Sequence, residues 1–182
     1  MSRVKTTSDN TKTMKVYLAG PLFSEADNAV LDRVEACVGS NVQFRFFSPR
    51  HGSGGNLRAV EGERREALAQ RIYSDNIEQL NDCDIILLNI DNFDTGTIFE
   101  MGYASALRDT GQQKVVITYS PSAYGLNLML NHSNVAGHFF SVDAVENFFQ
   151  TCTAKNLSEL KYDLRFASFN LKDNKDVERD VE

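Results

Sequence analysis

Short apolar runs alternate along the chain with longer stretches whose apolar residues recur every three or four positions. The runs at Lys15 to Ala19, Val42 to Phe47, Ile85 to Ile90, Lys114 to Tyr119 and His138 to Ser141 predict strands. Continuous apolar runs closed by turn residues suit strands covered on both faces. Between them the period lengthens to that of a helix. Glu25 to Val38 carries Ala26, Val30, Val34 and Cys37 at helical spacing behind Ser24, a residue type suited to an N-cap. Glu61 to Asp82 carries Ala69, Ile72, Tyr73, Ile77 and Leu80, a third helix ends near Asp109-Thr110-Gly111, and Val142 to Thr153 turns Val142, Val145, Phe148 and Phe149 inward.

Strands alternating with helices at this spacing predict an α/β fold in which a parallel sheet has helices on both faces. The arrangement adopted is a flavodoxin-like three-layer α/β/α fold with a five-stranded parallel sheet, although periodicity does not carry strand order. Residues 1–13 are rich in Ser, Thr, Lys and Asn and predict a disordered lead-in. Residues 14–154 form the expected single domain, and residues 155–182 a C-terminal extension with a charged, frayed end.

Composition narrows the function classes. A 42% hydrophobic and 24% charged chain of 182 residues is that of a globular domain with a substantial core. A net charge of -6 and a pI near 5.1 argue against a sequence-independent nucleic-acid binder and favour small molecules or other copies of the chain as partners. Cys37, Cys83 and Cys152 form no Cys-x-x-Cys pair and read as small core residues in a reducing compartment, and no apolar stretch is long enough to span a bilayer. A cytoplasmic protein is expected. His51, His132 and His138 lack metal-ligand spacing, and neither a Gly-x-Gly-x-x-Gly nor a P-loop is present, so no metal or cofactor is expected.

The stretch that carries the chemistry is Asp94-Thr95-Gly96-Thr97-Ile98-Phe99-Glu100-Met101-Gly102-Tyr103-Ala104, directly after the most apolar strand. The space beyond the carboxyl end of such a strand is where open α/β sheets bind ligands. Glu100 has no basic side chain at helical reach, and the small residues of its helix let it lie close to the sheet. One reading is a carboxylate kept ionised by the helix dipole yet poorly solvated. The other is an ordinary solvated acid near a helix start. On the second helix Asn76 falls within the apolar stripe, while Asp75 falls on the polar face with Arg71, Glu78 and Asp82. After the second strand, Ser48, Arg50, His51 and Gly52 to Gly55 could hold a phosphate through amides and one guanidinium.

Tyr17-Leu18-Ala19-Gly20-Pro21-Leu22-Phe23, Asn76, the Asp94-x-Gly-Thr-x-x-Glu100-x-Gly102 motif and Asn127-Leu128-Met129 together resemble the nucleoside 2-deoxyribosyltransferase family, from about Lys15 to Met129. The resemblance implies base exchange on 2'-deoxynucleosides through a covalent deoxyribosyl-glutamate ester, with free nucleobases as the other substrates. It makes Glu100 the nucleophile, Asp94 the acid that protonates the departing base, and Tyr17 the residue that orients the carboxylate. Gly20 and Phe23 become part of the substrate pocket, with Phe23 an aromatic wall. Asn127 and Met129 match residues that family subunits insert into each other's sites, which implies a homo-oligomer. Asn76 departs from members that place a second aspartate at this helix position, and an amide cannot supply a proton as an acid does. From the residues alone, Asp94 also reads as a helix cap, Tyr17 and Phe23 as core, and Asn127 as a turn residue. A deoxynucleoside 5'-monophosphate N-glycosidase and a non-catalytic nucleoside-binding module stay open on the same fold.

Overall fold

The computed structural model describes residues 13–52, 59–121, 129 and 136–153. Five strands, β1 (Met14–Ala19), β2 (Phe44–Phe47), β3 (Ile85–Asn89), β4 (Val115–Tyr119) and β5 (Gly137–Phe139), form one sheet in the order β2-β1-β3-β4-β5. Every pairing is parallel, as the alternation of strands and helices predicts. The helices are α1 (Glu25–Ser40), α2 (Gly62–Asp82), α3 (Thr95–Asp109) and α4 (Val142–Thr151). No helix among the described residues is long and apolar enough to cross a membrane.

The period of two along each strand divides the core. Val16, Leu18, Ile85, Leu87, Val115 and Ile117 point to one side, where they meet Leu31, Val34 and Val38 of α1 and Val142, Val145 and Phe149 of α4. Tyr17, Ala19, Ile86, Leu88 and Val116 point to the other, against Leu80 of α2 and Met101 and Ala104 of α3. Every residue of β3 and β4 is buried, which is why both read as unbroken apolar runs.

Local signals set the helix ends. Ser24 caps α1 through a reciprocal box, its hydroxyl accepting the Asp27 amide while the Asp27 carboxylate accepts the Ser24 amide. Ser141 caps α4 by accepting the Ala144 amide, so the fifth strand stops at Phe139, short of the Ser141 end that the sequence predicts. The second strand begins at Phe44 and not at Val42, which is 90% exposed. The reason is Asn41. Its side-chain oxygen accepts the Gln43 amide, and its nitrogen donates to the carbonyls of Phe149 and Cys152, which fixes a turn where the apolar run suggests strand.

Chain direction reverses between β1 and β3. From β1 the chain crosses by α1 to β2 on one side, and from β3 by α3 to β4 on the other, so the carboxyl ends of β1 and β3 flank a crevice at the switch point. At the opposite end of the strands, buried Lys114 donates to the carbonyls of Asn81 and Cys83, each at 2.8 Å, and so satisfies the carboxyl end of α2. Lys114→Met keeps the apolar stem and strands both carbonyls. The unfolding free energy is expected to fall by about 2 kcal/mol in urea denaturation, and an unchanged midpoint would show that these bonds add nothing.

Candidate active site

The crevice brings together residues far apart in sequence. Tyr17, fully buried on β1, points to the α2 and α3 side and packs on Phe47 with ring centroids 5.5 Å apart. Its hydroxyl donates to Glu100 Oε1 at 2.5 Å. Glu100 is the sixth residue of α3, and among the described residues no cation pairs with it. Its pKa is pushed up to about 7, chiefly by burial, with the Tyr17 hydroxyl pulling it down and the Asp94 charge pushing it up. This differs from the expectation that the helix dipole keeps Glu100 ionised. The dipole acts within the first turn, and Glu100 lies beyond it, so desolvation wins. Burial pushes the Tyr17 phenol up as well, so it stays protonated and donates.

Asp94 caps α3. Its Oδ2 accepts the Thr97 amide at 2.9 Å and the Thr97 hydroxyl at 2.6 Å, while Oδ1 takes only a 3.4 Å contact from the Gly96 amide. The capping role read from the sequence is therefore present. It does not use up the carboxylate, because each oxygen has two acceptor sites and Oδ1 is barely engaged. Phe23 is 74% exposed in the loop between β1 and α1, which removes its reading as a core staple. Gly20 ends β1 against Asn89, and a Cβ there would lie 3.0 Å from the Asn89 Cβ. Asn76 is half-buried on α2 and its side chain forms no hydrogen bond to the described residues, while Asp75 is half-buried rather than fully solvated. Met129 is exposed, and Asn127 lies outside the described residues.

The loop after β2 needs a correction. Arg50 is turned back onto α1, where Nε meets Glu35 Oε1 at 2.8 Å and Nη2 meets Glu35 Oε2 at 2.6 Å and Asp32 Oδ1 at 2.5 Å. His51 Nε2 sits 2.8 Å from the same Glu35. Burial pushes the Glu35 carboxyl up, yet the hydrogen bonds from Arg50 and His51 outweigh it and hold it low. The guanidinium is thus spent on two carboxylates and does not offer itself to a phosphate.

Two features escaped the sequence reading. Asn92 adopts a left-handed conformation, φ 59°, and its side chain donates to Asp27 Oδ1 at 3.0 Å. Since Asp27 also completes the α1 cap, this bond ties the loop that carries Asp94 to the loop that carries Phe23. Asparagine tolerates that conformation better than most residues, so Asp91-Asn92 was a legible turn signal, but its partner was not. The second is Asn89, which looked like the tail of an apolar run and is a buried polar side chain at the crevice.

Comparison with known proteins follows this geometry. Residues 16–174 match the family model described as nucleoside 2-deoxyribosyltransferase. The fold resembles a 2-deoxyribosyltransferase from the psychrotolerant bacterium Bacillus psychrosaccharolyticus, with 30% identity and a TM-score of 0.58 over 73% of this chain and 90% of that one. It also resembles a 2-deoxyribosyltransferase from Leishmania mexicana, with 26% identity and a TM-score of 0.51 over 76% of this chain and 98% of that one. A curated protein of Ureaplasma parvum serovar 3 is 32% identical over 101 residues, 53% of this chain, and the chain spans 63% of that relative's length. The match over most of its length, on a sheet whose switch point carries the Tyr17–Glu100 pair, shows that this chain belongs to the nucleoside 2-deoxyribosyltransferase family.

Proposed function

We propose that the protein exchanges the base of 2'-deoxynucleosides through a covalent deoxyribosyl-Glu100 intermediate. The observation that carries this reading is the half-buried Glu100 carboxylate, held by one oxygen at the ligand-binding end of the sheet. Tyr17 donates to Oε1, which leaves Oε2 as the attacking atom. As the bond from Oε2 to the anomeric carbon forms, the bond to the base nitrogen breaks and its electron pair leaves with the base. In the reacting form Asp94 carries the proton and Glu100 the charge, and Asp94 passes that proton to the departing nitrogen. A second base then reverses these steps, so one carboxylate acts as nucleophile and leaving group through an oxocarbenium-like transition state.

Burial supports this division of labour. A poorly solvated carboxylate has little hydration to shed before attack, and the phenol stays protonated to hold it. Phe23, exposed in the loop between β1 and α1, would stack on the base. Asn76, half-buried, can donate to and accept from a base but cannot protonate it, so Asp94 is left as the acid. A free nucleoside suits the site better than a 5'-monophosphate, because Arg50 is already paired and Pro21 lacks an amide donor. We further infer a cytoplasmic homo-oligomer in nucleotide salvage, with Asn127 and Met129 reaching a neighbouring subunit's site, which fits the exposure of Met129.

The test is base exchange. Deoxyinosine or thymidine supplied with adenine or cytosine should yield a new deoxynucleoside only when the acceptor base is present, and Glu100→Ala should abolish it. Free deoxyribose formed without acceptor would mean a hydrolase instead.

Because Glu100 attacks as the anion, kcat/KM should rise with pH through about 7. Tyr17→Phe keeps the packing and removes the bond that lowers this pKa. The acid limb should therefore move upward by about one to two pH units, given about 1.5–3 kcal/mol for a hydrogen bond to a charged group.

Stability should show the same group. A carboxyl whose pKa rises on folding from 4.5 to about 7 contributes stability that is complete below about 4.5 and lost as pH climbs through 7. Glu100→Gln keeps the Tyr17 bond without the ionisation. It should match the wild type near pH 4.5 and exceed it at pH 8 by up to about 3 kcal/mol in chemical denaturation. An equal pH slope in both proteins would refute the raised pKa.

A further inference from the structure

Asn89 ends β3, whose other residues are Ile85, Ile86, Leu87 and Leu88, and it is only 4% exposed. An amide at a buried strand end is a poor choice on propensity and burial, so its polar atoms need an explanation. Half of one is at hand. Asn89 Oδ1 accepts the Asp91 amide at 3.0 Å, which shapes the turn that leads to Asp94 and fixes the orientation of the side-chain amide. An aspartate could do that equally well. The nitrogen is the other half: Asn89 Nδ2 donates to no atom of the described residues and is not among their sealed unsatisfied atoms, so it keeps access to solvent and is free to meet a ligand.

Its surroundings point to a ligand. Asn89 lies beside Gly20 at the switch point, and because a Cβ at position 20 would come within 3.0 Å of the Asn89 Cβ, glycine is what lets the end of β1 pack this closely on Asn89. By strand alternation Asn89 shares the α1 and α4 side with Ile85 and Leu87, whereas Tyr17 and Glu100 stand on the other side. A nucleoside whose anomeric carbon meets Glu100 would cross the strand ends to reach it.

We propose that Asn89 is a substrate-binding residue whose side-chain amide donates a hydrogen bond to an uncharged acceptor oxygen of the 2'-deoxynucleoside, remote from the bond that is broken. This rests on the proposed function for the identity of the ligand. The oxygen is either the 5'-hydroxyl of the sugar or a carbonyl of the base. Being remote from the anomeric carbon, the bond acts on ground and transition states alike, so its loss raises KM and spares kcat.

The experiment compares Asn89→Asp, which keeps the turn acceptor and removes the donor, with Asn89→Ala and the unsubstituted residue, all in a Glu100→Gln background where no bond is broken. Affinities are measured by calorimetry for thymidine, its 5'-deoxy analogue, deoxyinosine and deoxyadenosine. Asn89→Asp should weaken thymidine and deoxyinosine by about ten- to hundred-fold. If the penalty disappears for the 5'-deoxy analogue, the partner is the 5'-hydroxyl; if it disappears for deoxyadenosine, which has no base carbonyl, it is the base. A penalty equal for all four ligands marks a structural role and overturns the inference, as do unchanged affinities or no binding at all. Base exchange by the wild type and by Asn89→Asp with Glu100 intact, run in parallel, tests the proposed function separately. There KM should rise while kcat stays within about three-fold.

Discussion

The hydrogen bond between Tyr17 and Glu100 joins positions 83 residues apart and sets what the rest of the site must provide. A carboxylate removed from water returns toward its protonated form unless something stabilises its charge, and the tyrosine offsets part of that cost without a formal positive charge. A cation in its place would hold the carboxyl ionised well below neutral pH. A phenol leaves it near the balance point. The tyrosine itself is immobilised on a central strand and against Phe47, so the donor is rigid before any ligand arrives.

The sheet makes this arrangement possible. Parallel strands with helices on both sides bury β1 and β3 completely at their centres, and their carboxyl ends come together where the chain changes direction. Loops emerging there would be free to separate, since neither is part of the sheet. The Asp27–Asn92 bond and the α1 cap hold them together. A left-handed asparagine carries some strain, and its position between the last strand residue and Asp94 places that strain at the start of α3.

Much of this was legible in the sequence. The apolar run of β3 reads correctly because a doubly covered strand needs no alternation, and Ser24 announces the helix it caps. Tyr17, Asp94 and Glu100 were picked out by motif, and the structure joins two of those motifs through the Tyr17–Glu100 contact. What stayed hidden was interaction at a distance. Val42 looked like strand because nothing local says that Asn41 will bond to the end of α4. Arg50 looked available because its partners Glu35 and Asp32 sit on the preceding helix, and periodicity assigns a charge to a face but not to a mate. The protonation of Glu100 likewise depends on how deeply α3 lies against the sheet, which spacing does not measure.

The closed circuit of Arg50 with Glu35 and Asp32 also bears on recognition in salt. A site that grips its ligand by charge loses affinity as ions screen it, whereas one that relies on shape, stacking and neutral hydrogen bonds is nearly indifferent to ionic strength. With its guanidinium satisfied internally, the crevice has exchanged long-range attraction for selectivity at contact, and an uncharged nucleoside would be drawn in no faster in dilute buffer than in concentrated salt.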